Sequence, residues 1–451
     1  MPFRHTLAVL LCLVTTTAAA QIGRSFPSER RVVPDPVTGV PLIFLTTQPR
    51  GDSKIYPTHP QWTADGQWLV FRSDRAGREA IAVNEASGEM LQVTEGGYDG
   101  MLNLDTKANR LVFLRDVPDT PGAMRAVEVD LGRLFTDHRA GTLKPDAQAH
   151  YQHVFATIPA DWAPVGDNAL DADGQWLYFR VGTAGAAKRQ PPGLKIEANF
   201  GPRQMGAGPT GIARVHRQSG AIQHVITVGF QIGHIQANPW MLGELVFSWE
   251  TGGKSPQRIW TVRGDGSGLR PLYAEPAHDW VTHEAIITRD EAAFAIMGHR
   301  PVPALAASAA SATSWQGANP GQEAAWGPSG TRAKPTGLAI VNLRSGAMRI
   351  EAQTPAGSGL WHVHGSPDGR WAVGDDFARN LYLVDRRDGR MRLLSTGHRE
   401  TARDHPHPTF SADGTRIQIQ SAMLAPDGRA MNIVVIHVPQ AWVGEGGAAV
   451  R

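Results

Sequence analysis

The stretch QWTADGQWLVF, residues 61–71, decides the fold of this chain. It reads as a β-hairpin, because an Asp-Gly turn stands before an apolar run and both turn residues tolerate the positive φ that tight turns need. The same pattern returns as NLDTKANRLVF from Asn103, ALDADGQWLYF from Ala169, NPWMLGELVFS from Asn238, AIITRDEAAFA from Ala285, HGSPDGRWAVG from His364 and PTFSADGTRIQIQ from Pro408. The chain is therefore built from a repeated strand unit.

A second hairpin pattern follows the first in most units. Examples are IAVNEASGEMLQV from Ile81, IARVHRQSGAIQHV from Ile212, IWTVRGDGSGLRPL from Ile259, LAIVNLRSGAMRI from Leu338 and LYLVDRRDGRMRLL from Leu381. Seven units of four short strands predict an all-β fold, a seven-bladed β-propeller. We expect PLIFLTT from Pro41 to pair with NIVVIHVP from Asn432, because this pairing closes the ring and covers the sheet edges.

Length and composition favour one large domain. The chain has 451 residues with 49 Gly and 32 Pro, and residues 41–440 hold the predicted propeller. Residues 21–40 read as a polar lead-in, 301–336 as a long Ala/Ser/Gly/Pro-rich loop within one blade, and 441–451 as a tail. With 19% charged residues and a formal net charge of +2, no basic stripe for nucleic acid is present in the sequence.

The first 20 residues have the pattern of a signal peptide. Basic Arg4 precedes an apolar run over residues 7–14, and small residues end the segment at Ala20. The run is too short to span a bilayer, and no later segment approaches the length that a membrane helix needs. Cys12, the single cysteine, lies inside the run, so the mature protein is expected to be cysteine-free. We expect a periplasmic or secreted protein that has no membrane anchor and is a monomer.

Histidines recur at one position of the repeat, a few residues before the turn. Because propeller repeats surround an axis, side chains at one position of each unit converge on the central channel. The histidines at this position are His59, His234, His283, His362, His364, His405 and His407.

Several of these histidines are candidates for metal binding. His362 and His364 stand two residues apart, which places both imidazoles on one face of a regular strand. Two imidazoles on one face can share a metal ion, and His283 offers a third from the preceding blade. The alternative for the pair His362 and His364 is hydrogen bonding to neighbouring blades. His405 and His407 alternate with prolines, so they are either ligands or caps of a rigid turn.

His234 has no second imidazole beside it in the sequence. A single histidine that faces a channel is either structural or, opposite a metal assembled by the next two blades, a base for proton transfer.

The motifs of this chain resemble those of oligogalacturonate lyases, bacterial enzymes that cleave short pectin fragments by β-elimination on a seven-bladed propeller. The likeness rests on GHIQANP around His234, WVTHE ending at Glu284, WHVHGSPDGRWAVGDD from Trp361 and DHPHPTFSADG from Asp404. It extends from about residue 40 to 440 and is strongest after residue 210.

The resemblance implies a function and a set of site residues. Members of the family bind Mn²⁺ through three histidines and a glutamine, and they use a further histidine as the base. By motif, His283, His362 and His364 would be ligands and His234 the base. The substrate would be a uronate-containing oligosaccharide.

The chain departs from the family pattern at two points. Gly359 stands where the family has its glutamine, so the fourth ligand would be water, substrate, His405 or Gln236. An arginine that binds the substrate carboxylate is also expected, and Arg203 and Arg214 are the candidates upstream of His234. The motif assigns no role to His59 or His407.

Other functions of the same fold are less well supported by the sequence. A Tol-type propeller that binds a protein or glycan partner has the same strand repeat but does not need histidines at one position. A serine peptidase would need a G-x-S-x-G elbow, which is absent from the sequence. Asp375 and Asp376 are adjacent in a strand, so they face opposite ways and form a poor glycosidase dyad.

Overall fold

The computed structural model describes residues 21–199, 205–251, 255–275, 281–296, 337–352 and 360–444. These residues form seven small antiparallel sheets arranged in a ring, which confirms the predicted seven-bladed β-propeller. In most blades the first strand contacts the first strand of a neighbouring blade and lines the channel. The predicted signal peptide, the 301–336 loop, Arg203 and Gly359 lie outside the described residues.

Blades 1 to 4 follow one another along the chain, and each is given from its channel strand outward. Blade 1 contains β4 (Ser53–Lys54), β5 (Trp68–Arg72), β6 (Ala80–Asn84), β7 (Met90–Gln92) and β1 (Ser25–Phe26). Blade 2 contains β8 (Asp99–Leu104), β9 (Arg110–Asp116), β10 (Met124–Asp130) and β11 (Gln152–Ile158). Blade 3 contains β12 (Pro164–Leu170), β13 (Trp176–Val181), β14 (Ala207–His216) and β15 (Ile222–Phe230). Blade 4 contains β16 (Ile232–Ala237), β17 (Glu244–Trp249), β18 (Ile259–Arg263) and β19 (Arg270–Pro271).

The remaining blades complete the ring. Blade 5 contains β20 (Val281–Thr288), β21 (Glu291–Ile296), β22 (Gly337–Asn342) and β23 (Met348–Ala352). Blade 6 contains β24 (Leu360–Gly365), β25 (Trp371–Asp376), β26 (Leu381–Asp385) and β27 (Arg390–Ser395). Blade 7 contains β28 (Thr409–Phe410), β29 (Arg416–Ser421), β30 (Asn432–His437), β3 (Pro41–Phe44) and β2 (Arg31–Pro34).

Strands from both ends of the chain close the ring in blade 7. Strand β3 pairs with β30 in the register Leu42↔Ile436 and Phe44↔Val434, which is the closure that the sequence predicted. The lead-in is more than a surface segment, because it also supplies β1 to blade 1 and β2 to blade 7. Both chain ends are thereby held in sheets whose edges would otherwise be open.

In the described residues, helices are few and short. They are α1 (Leu131–Ala140), α2 (Ala147–Tyr151), α3 (Thr183–Ala187) and α4 (Gln440–Gly444), with single 3₁₀ turns at Asp74–Ala76 and Ala160–Trp162. The Asp130 side chain caps α1 by accepting from the Arg133 amide, and Phe135 of α1 stacks on Trp68 at 4.3 Å between ring centroids. None of the helices in the described residues has the length and apolar character needed to cross a membrane.

The apolar side chains pack between neighbouring blades. Phe44, Val373 and Ile419 belong to the buried cluster between blades 6 and 7, and Phe71 and Ile433 to the cluster between blades 7 and 1. Because each blade buries both faces against its neighbours, the channel strands are held rigidly. Side chains at the start of those strands are therefore brought close together at one mouth of the channel.

Candidate active site

The channel strands of blades 4, 5 and 6 each carry a β-bulge at the mouth. One extra residue lies between Gly233 and Gln236 in β16, between Thr282 and Ala285 in β20, and between Leu360 and Val363 in β24. A bulge bends the strand and redirects the side chains next to it. These bulges hold His234, His283 and His362 at the mouth.

Three site histidines have a left-handed backbone. The φ angles are 52° at His234, 55° at His283 and 53° at His407. A histidine in this region is uncommon, and surrounding structure must hold it there. Such strained positions cluster at functional sites, so the shared conformation marks this mouth of the channel.

Four imidazoles from blades 5, 6 and 7 form a cluster around His362. Ring centroids lie 4.1 Å from His362 for His283, 5.3 Å for His405 and 3.8 Å for His407. His362 is buried at 3% exposure, and the indole of Trp361 packs against His283 at 4.6 Å. Four of the histidines predicted at one repeat position therefore meet at this mouth of the channel.

Asp375 of β25 ties two of these imidazoles together. Its Oδ1 accepts from the backbone amide of His362 at 2.6 Å, and its Oδ2 lies 3.3 Å from Nδ1 of His362 and 3.2 Å from Nδ1 of His405. Asp375 is completely buried, and its pKa is held well below the usual range: burial alone would raise it, but the contacts with the two histidines outweigh burial. The carboxylate therefore remains charged beneath the imidazoles.

The described residues contain one group that fits a metal ion. One ligand atom each from His362, Asp375 and His405 lie within 4.8 Å of one another. Metal-bound histidines usually point their second ring nitrogen at a carboxylate or a carbonyl. Nδ1 of His362 and His405 faces Asp375 in this way, and Nδ1 of His283 faces the Trp361 carbonyl. This nitrogen-rich set suits a borderline divalent cation.

Two imidazoles of this cluster, His283 and His362, are neutral, which is the form that binds metal. Burial lowers the pKa of His362 to about 3 and that of His283 well below 6.5, and the neighbouring histidines act in the same direction. A metal ligand must be deprotonated, so the site does not have to release protons from these two rings at neutral pH.

His234 lies in a separate charged network with blades 4 and 5. Its Nδ1 is 3.4 Å from Glu284 Oε1 and its Nε2 is 3.6 Å from Glu250 Oε2. Arg258, which is buried, bridges the same two carboxylates at 3.2 Å and 3.3 Å. Arg258 thus balances one of the two negative charges, and the His234 imidazole lies against both carboxylates.

The network sets the pKa of His234. Burial lowers the pKa of His234. The hydrogen bond and charge of Glu284 and the charge of Glu250 raise this pKa by more than burial lowers it, so the net pKa lies above 6.5. Glu284 itself has a pKa lowered to about 2, because Arg258 and His234 outweigh its burial. His234 therefore becomes a base only once the pH exceeds its raised pKa.

Tyr56 of blade 1 lies between the His234 network and the His362 cluster. Its ring contacts His234 at 5.0 Å, His407 at 5.3 Å and His362 at 6.4 Å between centroids. Burial and the charge of Glu284 raise the pKa of Tyr56 well above 10, so its hydroxyl keeps its proton.

Two of the predicted channel histidines lie elsewhere. Nδ1 of His364 faces the Gly365 carbonyl at 2.9 Å, and in the described part of the chain no hydrogen bond or ring contact joins His364 to His283, His362 or His405. The bulge in β24 breaks the two-residue alternation on which the shared face was predicted. His364 and His59 instead line a cavity of about 560 Å³ that the strand turns surround.

Other predicted contributors are not at the site. The Gln236 amide is used by the Glu284 carbonyl and the Ile286 amide, so it is not placed as a ligand. Arg214 bonds to Gln223 and stacks on Trp176 at 4.2 Å, in the outer strands of blade 3. Arg214 therefore lies away from the channel mouth, because β14 is the third strand of blade 3 and does not line the channel.

The structure adds residues that the sequence reasoning missed. Glu250, Arg258 and Tyr56 come from loops outside the hairpin motif, so no repeat position marks them. The sequence presents Asp375 only as a neighbour of Asp376. The two do face different partners, since Asp376 accepts from Asn380 while Asp375 faces the histidines.

These features define a class: a seven-bladed β-propeller with a cluster of histidines and one buried carboxylate at one mouth of its channel. No protein-family model matches the chain, and no curated protein matches it. Among solved structures, it is similar to an oligogalacturonate lyase in complex with manganese, with a TM-score of 0.68, 18% identity and coverage of 93% of this chain and 99% of that one. It is also similar to an oligogalacturonate lyase from Vibrio parahaemolyticus, with a TM-score of 0.67, 17% identity and coverage of 94% and 100%. The fold that the sequence resemblance implied is thus confirmed over almost the whole chain.

Proposed function

We propose that this protein is a metal-dependent lyase that cleaves oligogalacturonides or related uronate oligosaccharides by β-elimination, as a step in pectin breakdown. The observation that carries the proposal is the His362–Asp375–His405 group, with ligand atoms within 4.8 Å of one another. It occurs in a fold shared along nearly its full length with a lyase solved in complex with manganese.

The residues that would hold the cation are His362 and His405, with His283 beside them. Asp375 would either ligate directly or fix both imidazoles through Nδ1. A divalent cation bound here, Mn²⁺ being the proposed one, would neutralise the uronate carboxylate and stabilise the negative charge that develops when the C5 proton leaves.

His234 would act as the base. In the neutral form it would take the C5 proton, and the C4–O bond would break to leave a 4,5-unsaturated uronate. Glu284 and Glu250 hold its ring between them and stabilise the imidazolium that forms. Arg258 is engaged by the same two carboxylates, so Arg203 remains the proposed partner of the substrate carboxylate.

The test is the appearance of absorbance from conjugated unsaturated uronates. The protein would be incubated with digalacturonate and with a panel of other uronides, in the presence of Mn²⁺ and after chelation. We expect product with at least one uronide, only when the metal is present. A protein that binds no metal and cleaves no uronide would refute the proposal and favour a propeller that binds a partner.

A further inference from the structure

β-Elimination needs an acid as well as a base, because the sugar oxygen at C4 leaves poorly as an alkoxide. A positioned general acid of this kind contributes about 10²–10⁴ in rate. Most donors at the mouth already have partners. His405 faces Asp375, His407 lies 3.3 Å from Asp404, and the Lys54 ammonium donates to the Thr409 hydroxyl at 2.8 Å.

Tyr56 differs from these groups. Its ring is fixed by three histidines from three blades, while its hydroxyl has no hydrogen bond to any of the residues that the structure describes. A phenol held rigidly by its ring with a free O–H is suited to contact a ligand. It also lies between His234 and His362, which is where a substrate that reaches both groups would pass.

We propose that Tyr56 is the proton donor to the departing C4 oxygen, an assignment that rests on the proposed lyase function. His234 takes the C5 proton, the C5–H electron pair forms the C4=C5 double bond, and the C4–O4 bond breaks. O4 takes the hydroxyl proton of Tyr56. The His234 imidazolium then returns a proton to the Tyr56 phenolate, because the two rings are neighbours with centroids 5.0 Å apart. The net change moves one proton from C5 to O4, with no oxidant or reductant.

The experiment compares two readouts of digalacturonate in D₂O with the metal-loaded protein. Deuterium incorporation at C5 of unreacted substrate, measured by NMR, reports proton removal, and unsaturated product reports elimination. Tyr56→Phe should lower the elimination rate by about 10²–10⁴-fold, the usual contribution of a general acid, while C5 exchange and metal content persist. A uronide with fluoride at C4, which leaves without a proton, should be eliminated by Tyr56→Phe at close to the wild-type rate.

Tyr151→Phe is the matched control, because its hydroxyl bonds to Asp137 in the helical segment of blade 2, and it should eliminate normally. Elimination by Tyr56→Phe at the wild-type rate overturns the assignment, and so does loss of exchange together with elimination, which would place Tyr56 in the deprotonation step. A wild-type protein with neither activity overturns the lyase function, and the role of Tyr56 with it.

Discussion

Three histidines with φ near 53° show how single residues are adapted to the site. His234, His283 and His407 adopt a backbone conformation that costs on the order of 1–3 kcal/mol for residues other than glycine. Glycine would adopt it freely but would offer no imidazole. Gly100 of β8 has a φ of 70° at the corresponding bulge of blade 2, which carries none of the proposed site residues. The strain is therefore retained in blades where a ring is needed.

The base and the metal ligands can be separated by metal content. His234→Ala should keep the bound metal and lose about 10²–10⁴ in rate, because only the proton acceptor is removed. His362→Ala should lose metal and activity together, because it removes the ring on which the cluster is centred. Elemental analysis and the elimination assay measure both. Unchanged metal content in His362→Ala would reject the ligand assignment.

Asp375 should act through the histidines that it holds. Asp375→Asn removes the negative charge opposite two Nδ1 atoms, and loss of such a partner typically lowers metal affinity by about 10–100-fold. Asp376→Asn is the control, since Asp376 bonds to Asn380 and not to the imidazoles. Titration with Mn²⁺ measures both affinities. Equal weakening in the two variants would mean that general damage to β25 is responsible.

The pH dependence of activity should follow His234. A base must be neutral, so activity should rise with pH as it passes the pKa of His234, which lies above 6.5. Glu250→Gln removes a charge that raises this pKa, and the acid limb of the rate profile should move to lower pH. Glu351→Gln, in an outer strand of blade 5, should leave the limb in place. No movement in Glu250→Gln would show that another group limits the rate.

At the scale of elements, the sequence predicts strands and turns better than it predicts bulges. The hairpin motifs from Gln61, Ala169 and His364 mark real strand pairs, because Asp-Gly turns and apolar alternation are local signals. A bulge depends on how the channel strands pack around the axis. The sequence WHVH contains no signal for a bulge. It therefore predicts that His362 and His364 share a face, whereas the structure places them apart.

The closing strand gives a prediction of its own. Phe44 in β3 is completely buried between blades 6 and 7, so Phe44→Ala should lower the free energy of unfolding by about 3–5 kcal/mol. Val32→Ala in β2 is the control, since Val32 is 51% exposed and its truncation should change stability by no more than about 0.5 kcal/mol. Denaturant unfolding measures both. Similar effects would mean that closure through β3 does not limit stability.

At the scale of the whole molecule, the seven repeats predicted the number of blades, and the apolar segments from Pro41 and Asn432 predicted the pairing of the chain ends. The repeat also predicted that histidines would gather, because equal positions in a ring point at one axis. The repeat positions do not predict the charged residues of the site. Arg258 and Glu250 belong to the connection between β17 and β18 of a single blade, so their meeting with Glu284 follows from the distance between blades 4 and 5.

Buried histidines should also make the whole fold sensitive to acid. Burial lowers the pKa of His59 and of His398 to about 4, against 6.5 for an unperturbed ring. The stability from keeping each ring neutral is fully present above 6.5 and is lost as the pH falls towards 4. The difference corresponds to on the order of 3 kcal/mol for each histidine.

A variant of His398 isolates this effect from the metal site. His398 bonds to the hydroxyls of Ser395 and Ser421 at 2.8 Å each, and a glutamine can bond to both without titrating. Between pH 7 and pH 4, the melting temperature of His398→Gln should therefore fall by less than that of the wild type. Thermal unfolding at the two pH values measures both. His437→Gln, whose side chain is 58% exposed, should behave like the wild type. If His398→Gln loses as much melting temperature as the wild type, protonation of His398 does not contribute to acid unfolding, and the carboxylates of the inter-blade ion pairs become the groups to test.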